Sequence, residues 1–124
     1  MRIAIVGGPR SGKTELAKKL GLQLGITVKS TDSLAGSWSE MSRVASMCFD
    51  ELGPLIVEGV AVPRALRKFL ERSFQRRPVD QVYVLTRPWV ELTKEQEAMS
   101  KGCATVFHEI KDELVKRGVK ITIV

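Results

Sequence analysis

A chain of 124 residues with 44% hydrophobic residues is long and apolar enough for one domain with its own core, so residues 1–124 are expected to form a single domain. No run of about 18 apolar residues occurs and the chain begins with a strand pattern, so neither a membrane span nor a signal peptide is expected. The net charge of +6, from 20 Lys and Arg against 14 Asp and Glu, favours anionic ligands without separating nucleotides from nucleic acid.

The first part of the chain predicts a strand, a loop, a helix and a second strand. The first strand is expected over residues 2–6 and the second over residues 26–30, directly before Thr31 and Asp32. The helix between them is expected over residues 13–24, and Gly25 suits its left-handed end. Its apolar face consists of Leu16, Ala17, Leu20 and Leu24.

The middle of the chain predicts two helices around a short buried strand. A capping-box pattern over residues 37–40 begins a helix that ends at Gly53. Residues 55–57 predict the strand, which Glu58 closes, and Pro63 suits the first turn of the next helix. The side chains expected to be buried in these helices are Met41, Val44, Ala45, Cys48, Leu52, Leu66, Phe69, Leu70 and Phe74.

The last part predicts a strand over residues 81–86, a long helix after a capping box at residues 93–96, and a final strand over residues 119–124. Gly102 predicts a bend or a split in the long helix. Its inward residues are expected to be Ala98 or Met99, Cys103, Val106, Ile110 and Leu114. Strands that alternate with helices, joined by right-handed crossovers, predict an α/β three-layer sandwich with a five-stranded parallel sheet.

Both cysteines fall within helical apolar patterns. Cys48 and Cys103 lack the spacing of metal ligands and are expected to be reduced thiols of the core. Reduced thiols are typical of intracellular proteins, so a cytoplasmic location is expected.

Residues 7–14 carry the pattern G-x-x-x-x-G-K-[ST], the phosphate-binding P-loop, between a strand and a helix. In this motif the glycines let the chain wrap around phosphate and the helix N-terminus points N–H groups at it. Lys13 is expected to reach the outer phosphates and the Thr14 hydroxyl to ligate Mg²⁺. Arg10 is either an additional phosphate clamp or a solvated charge. The expected nucleotide-binding residues are Gly8, Pro9, Arg10, Ser11, Gly12, Lys13, Thr14 and Glu15.

The same segment is a poor match to the dinucleotide-binding pattern G-x-G-x-x-G. Pro9 occupies the position of the middle glycine, whose absent side chain lets the backbone approach a pyrophosphate.

Two carboxylates follow predicted strands, at the edge of the sheet where catalytic groups of open α/β folds gather. Asp32 is expected to orient an acceptor hydroxyl or to take its proton, unless it serves as a helix cap or in an Asx turn. Glu58 follows an apolar strand in the Walker-B manner and is expected to hold Mg²⁺ or to position the nucleophile; the alternative is a surface turn carboxylate.

Basic residues concentrate in residues 62–77. Four of them recur at helical spacing and either form one positive face, for a phosphorylated acceptor or a nucleic-acid backbone, or lie on a solvated outer face; they are Arg64, Arg67, Lys68 and Arg72. Arg64 lies nearest the strand end and is expected to bind the acceptor. Arg87 is expected either to stabilise charge on the transferred phosphoryl group or to be a surface charge.

The aromatic and histidine side chains are less informative. Trp38 and Trp89 either stack on a base or pack in the fold. His108, the only histidine, is expected to be structural.

With these residues in place, the chain resembles the P-loop kinase group, the nucleotide-kinase-like P-loop NTPases, and within it small phage-encoded P-loop kinases and ATPases. The resemblance is carried by residues 7–14, 31–32 and 56–59, with weaker support from Pro63, Arg64 and Arg87. It implies the P-loop NTPase fold, the strand order 2-3-1-4-5, and a third-strand carboxylate beside the loop.

The chain departs from the similar nucleoside monophosphate kinases in two places. They carry Gly-Phe-Pro-Arg after the third strand, whereas here three residues separate Gly59 from Pro63. The region after Arg87 is too short for a separate lid domain, and a helical lid with Arg87, Lys94 and Lys101 is the alternative. A smaller lid excludes less water, so transfer to water competes with transfer to an acceptor.

These features predict a kinase that uses ATP and Mg²⁺ and transfers the γ-phosphoryl group to a small acceptor, a nucleoside or a nucleotide. The expected catalytic residues are Lys13, Asp32, Glu58 and Arg87; Thr14 and Glu58 are the expected metal ligands, and Asp32 and Arg64 the acceptor-binding residues. Two alternatives are an NTPase switch that acts on a protein or nucleic-acid partner, and a polynucleotide 5′-kinase whose basic helix grips the backbone.

Overall fold

A computed structural model describes residues 1–31, 37–88 and 90–124, and only the backbone of Trp38. Five parallel strands form one sheet in the order β2-β3-β1-β4-β5. The strands are β1 Arg2–Gly7, β2 Val28–Ser30, β3 Leu55–Glu58, β4 Gln81–Leu85 and β5 Lys120–Ile123. The predicted α/β class, the parallel five-stranded sheet and the strand order are confirmed.

Helices cover both faces of the sheet, as a three-layer sandwich requires. They are α1 Lys13–Leu24, α2 Trp38–Ser46, α3 Val62–Arg72 and α4 Lys94–Lys116, and a 3₁₀ helix, Met47–Asp50, follows α2. Among the described residues, no helix combines the length and apolar character needed to cross a membrane.

The central strand β1 is buried on both faces, because its side chains alternate between two cores. Ala4 and Val6 belong to the larger core, under α2, α3 and α4. Ile3 and Ile5 belong to the smaller core, under α1. In the larger core the rings of Phe49 and Phe69 meet edge to face, with centroids 5.9 Å apart. Packing on both faces therefore fixes the position of β1 as far as its carboxyl end.

The helix ends follow the local signals in the sequence. The Ser37 hydroxyl accepts a hydrogen bond from the Glu40 N–H at 3.2 Å and caps α2. Thr93 and Gln96 form both bonds of a capping box at the start of α4. Gly25 ends α1 in the left-handed conformation with φ of 67°.

Four apolar side chains that were expected inside are exposed. Two of them lie beyond the end of a helix, where the helical pattern continues, and Leu24 is the last residue of α1. Leu52 lies after the 3₁₀ helix and is 95% exposed. Phe74 lies two residues after α3 and is 92% exposed. Val44, expected inside α2, is also exposed, whereas Ala45 and Cys48 are buried.

α4 runs unbroken through Gly102, so the predicted split of this helix is wrong. A Cβ at Gly102 would lie 3.1 Å from Arg64 Nη2. The glycine thus leaves room for the Arg64 side chain of α3 against α4. Glycine disfavours a helix by about 1 kcal/mol, and the tertiary packing of this long helix offsets that cost.

Candidate functional site

Residues 7–14, called the glycine-rich loop below, join the carboxyl end of β1 to the N-terminus of α1. Arg10 and Gly12 have positive φ values of 58° and 90°, and Gly12 is the N-cap residue of α1. The left-handed conformation costs a non-glycine residue about 1–2 kcal/mol, so Arg10 stores strain in this loop.

The loop closes around one carbonyl oxygen. The Ser11 hydroxyl and the Lys13 ammonium both donate hydrogen bonds to Gly8 O, each at 2.8 Å. Lys13 is only 5% exposed, yet it holds no carboxylate partner among the described residues. An ammonium has three N–H donors and Gly8 O takes one. Donors therefore remain for an anion beside the loop, which would also offset the cost of burying this charge.

A cavity of about 430 Å³ lies against the loop, within the size range of small-molecule sites. Seven of the eight residues expected to bind a nucleotide line it: Pro9, Arg10, Ser11, Gly12, Lys13, Thr14 and Glu15. Gly8, the eighth, is buried behind them and contributes its carbonyl. The opposite wall consists of Thr31, Met41, Val60 and Met99.

The first two glycines of the loop are required by the protein's own packing. A Cβ at Gly7 would lie 2.6 Å from Ser11 Oγ and 3.1 Å from Leu85 O. A Cβ at Gly8 would lie 2.5 Å from Ser100 Oγ, on α4. The sequence explained these glycines by the approach of phosphate and gave no signal for Ser100, since its contact depends on how α4 crosses the sheet.

Helix α4 also contacts the turn that follows β3. Cys103 Sγ donates a hydrogen bond to Val60 O at 3.1 Å. Helix α4 thus packs closely on Gly8 through Ser100 and is hydrogen-bonded to the turn after β3 through Cys103, and its residue Met99 lines the cavity.

Glu58 is the last residue of β3 and is 1% exposed. Its neighbours across the sheet are Ile5 of β1 and Ser30 of β2. The alternative of a surface turn carboxylate is therefore wrong. The structure places Glu58 on the strand beside the one that enters the glycine-rich loop, although it does not line the cavity with Thr14.

The oxygen groups at this edge suit Mg²⁺. The Thr14 side chain lies on the cavity wall, and a hydroxyl is a hard oxygen ligand of the kind Mg²⁺ prefers. Among the described residues, no group of three or more His, Cys, Asp or Glu could hold a metal ion. Mg²⁺ that is bound mainly through phosphates and water needs no such group, so the residues fit this metal.

Arg64 and Arg87, the arginines expected to bind the acceptor and to stabilise the transferred group, lie outside the cavity lining. Arg64 is half-buried and its guanidinium lies against Gly102 of α4. Arg87 is exposed after β4, as are Lys94 and Lys101 on α4. His108 is exposed on α4 and lines a second cavity of about 250 Å³ behind the loop.

Three of the residues considered in the sequence lie wholly or partly outside the part of the chain that the structure describes. Asp32 and Trp89 lie outside the described residues, and so does the side chain of Trp38.

Two of the basic residues of α3 contact different elements. Arg67 pairs with Glu109 of α4 at 3.1 Å. Arg72 donates to Ser46 O and Ser46 Oγ, each at 2.9 Å, and pairs with Asp50 at 2.5 Å. Arg67 and Arg72 therefore do not combine into a single surface for nucleic acid.

No family model matches the chain, and a search of curated proteins finds no match.

Proposed function

We propose that the chain is an ATP-dependent and Mg²⁺-dependent phosphotransferase of the P-loop NTPase superfamily, which transfers the γ-phosphoryl group to a small acceptor. The observation that carries this proposal is the loop geometry: Lys13, almost fully buried, is held by Gly8 O at the wall of a cavity of about 430 Å³. A buried ammonium that faces a cavity is arranged for an anion.

Three features favour a polyphosphate over a single small anion. The N-terminus of α1 supplies partial positive charge and N–H donors. Gly12 is its N-cap residue, and within the described part of the chain no side chain forms a capping hydrogen bond there. Lys13 supplies a full charge and Arg10 a second one at the same wall. The cavity is lined by the whole stretch of residues 9–15, so several phosphates can lie along it.

Thr14 would hold Mg²⁺ directly, through its hydroxyl oxygen. Glu58, buried at the end of β3, would hold it through a water molecule. Bound Mg²⁺ neutralises charge on the β- and γ-phosphate oxygens. Lys13 would stabilise the charge that moves to the leaving phosphate oxygen, and the loop N–H groups would orient the phosphates.

In the transfer itself, an acceptor hydroxyl oxygen forms a bond to the γ-phosphorus, and the bond from that phosphorus to the β–γ bridging oxygen breaks. The acceptor proton passes to the Asp32 carboxylate, in the role predicted for that residue. The products are ADP and a phosphorylated acceptor. Arg87 remains a predicted stabiliser of the transferred group.

Labelled ATP tests this proposal. With [γ-³²P]ATP and Mg²⁺, a panel of nucleosides, nucleotides and oligonucleotides should yield a labelled small acceptor, and Asp32→Asn should abolish transfer while ATP still binds. Label found only in free phosphate would contradict phosphotransfer and support an ATPase. Labelled oligonucleotides would support the polynucleotide kinase, which the divided arginines of α3 do not favour.

A further inference from the structure

We infer that the acceptor is an uncharged molecule with a flat ring and a free hydroxyl group, of the nucleoside class, and not a phosphorylated compound. This inference rests on the proposed phosphotransfer and narrows its acceptor. It comes from the wall of the cavity that faces the glycine-rich loop.

That wall carries no charge among the described residues. It consists of Thr31, Met41, Val60 and Met99. A phosphate group seated against it would lose its water without gaining a cation, which is strongly unfavourable. The two cations of this cavity, Arg10 and Lys13, lie on the loop, where the phosphates of the donor are expected.

Two of the arginines expected on a positive face of α3 are paired with carboxylates. Arg67 pairs with Glu109, and Arg72 with Asp50. To reach an acceptor phosphate, either one would have to break its ion pair. Arg64 and Arg87 do not belong to the cavity lining.

The same wall favours a ring over a free sugar. Methionine is flexible, and its sulfur makes favourable contacts with aromatic rings, so Met41 and Met99 in this wall suit contact with a flat base. A free sugar would bring several hydroxyl groups against apolar side chains, and each buried hydroxyl needs a hydrogen-bond partner. The observed side chains do not supply that number.

Thr31 is the polar group of this wall. It is 3% exposed, and its Oγ1 has no hydrogen-bond partner within the described part of the chain. A buried hydroxyl in this state is unfavourable. Rotation about one side-chain bond would turn it to the cavity, where it can donate to or accept from the polar edge of an acceptor. Thr31 is therefore assigned as a specificity-determining residue.

Matched acceptors test the charge class. Each of four nucleosides is compared with its 5′-monophosphate, and with free ribose, by steady-state transfer from [γ-³²P]ATP. A nucleoside should show kcat/KM at least tenfold above that of its monophosphate and of ribose. A monophosphate or ribose preferred over every nucleoside would overturn this inference and leave phosphotransfer standing. Label only in free phosphate would overturn both.

Substitution of Thr31 by Val tests the assignment of the residue. Thr31→Val should raise the KM for the nucleoside by about five- to tenfold, the loss of one neutral hydrogen bond, and leave the KM for ATP unchanged. The melting temperature should not fall, because among the described residues the hydroxyl has no partner to lose. Thr27→Val, at an exposed threonine, is the matched control. A KM equal to that of this control, or a lower melting temperature for Thr31→Val alone, would overturn the role of Thr31.

Discussion

An alanine at Gly8 tests the contact that holds the glycine-rich loop against α4. The added Cβ would lie 2.5 Å from Ser100 Oγ, 2.7 Å from Ser100 Cβ and 3.0 Å from Ser100 Cα. The last two atoms are fixed to the helix and cannot swing away as the end of a long side chain can. The loop, the helix or both must therefore move.

The expected cost follows from that geometry. Overpacking of a well-packed interior typically costs 1–3 kcal/mol, and three contacts with one residue place Gly8→Ala at the upper end, about 3 kcal/mol. For a domain of this size, such a loss corresponds to a fall in melting temperature of about 10 °C. The displaced atoms include the carbonyl that binds Lys13, so weaker binding of Mg·ATP is expected as well.

A double-mutant cycle identifies Ser100 as the cause. Ser100→Gly removes Oγ and Cβ and by itself costs about 0.5 kcal/mol in helix propensity. In the double variant it should restore about 1–2 kcal/mol of the loss caused by Gly8→Ala. The assay is urea unfolding of the four proteins at 25 °C.

Gly102→Ala is the control on the same helix. Its Cβ would meet only the end of the Arg64 side chain, and alanine is favoured in helices by about 1 kcal/mol, so little or no destabilisation is expected. A loss below about 0.5 kcal/mol for Gly8→Ala, or strictly additive effects with Ser100→Gly, would refute the contact between the loop and α4.

Two further predictions concern the structure around the site. Arg72→Ala should cost about 1–2 kcal/mol in urea unfolding, because Arg72 binds Ser46 and Asp50 and lies over the Phe69 ring. Lys68→Ala on the same helix should cost no more than about 0.5 kcal/mol, and equal losses would contradict the structural role of Arg72. Burial raises the pKa of the Cys48 thiol to about 11, so the unfolded chain releases this proton at lower pH than the folded protein. The contribution of this thiol to the free energy of unfolding should therefore be constant below about pH 9 and fall as the pH rises to 11. Over that range the free energy of unfolding should fall more steeply in wild type than in Cys48→Ala. Equal slopes for the two proteins would contradict the burial of this thiol.

Sequence patterns predicted the sheet well, because each strand carries its own signal. Buried runs such as residues 3–6 and 55–57 and the caps at Ser37 and Thr93 depend on neighbours only a few residues away. Some of the errors lie where a local pattern continues past the end of an element. Phe74 keeps the helical spacing of α3 although the helix has already ended, so it cannot reach the core.

On the loop side of the cavity, the residues expected to bind a nucleotide are contiguous in the chain, so they lie close together. Seven of them line one cavity, and nucleotide binding by them stays a prediction. The opposite wall contains Thr31, Val60 and Met99, which come from three separate segments of the chain. No spacing pattern in the sequence predicts that these residues lie together.

The basic residues were the least predictable part. A positive charge in a sequence does not reveal whether an arginine binds a ligand or the protein itself. Arg2 donates to the carbonyls of Phe49, Glu51 and Gly53, and Arg117 to those of Leu70 and Ser73. Much of the positive charge therefore holds chain segments together, and the net charge overstates the surface left for anionic partners.

Calorimetric titration of Mg·ATP into wild type and Lys13→Ala tests the central claim most directly. Wild type should bind one equivalent, and Lys13→Ala should lose most of the affinity while it keeps the fold, as judged by circular dichroism. Equal binding by the two proteins, or no binding by wild type, would contradict the assignment of the glycine-rich loop as a nucleotide site.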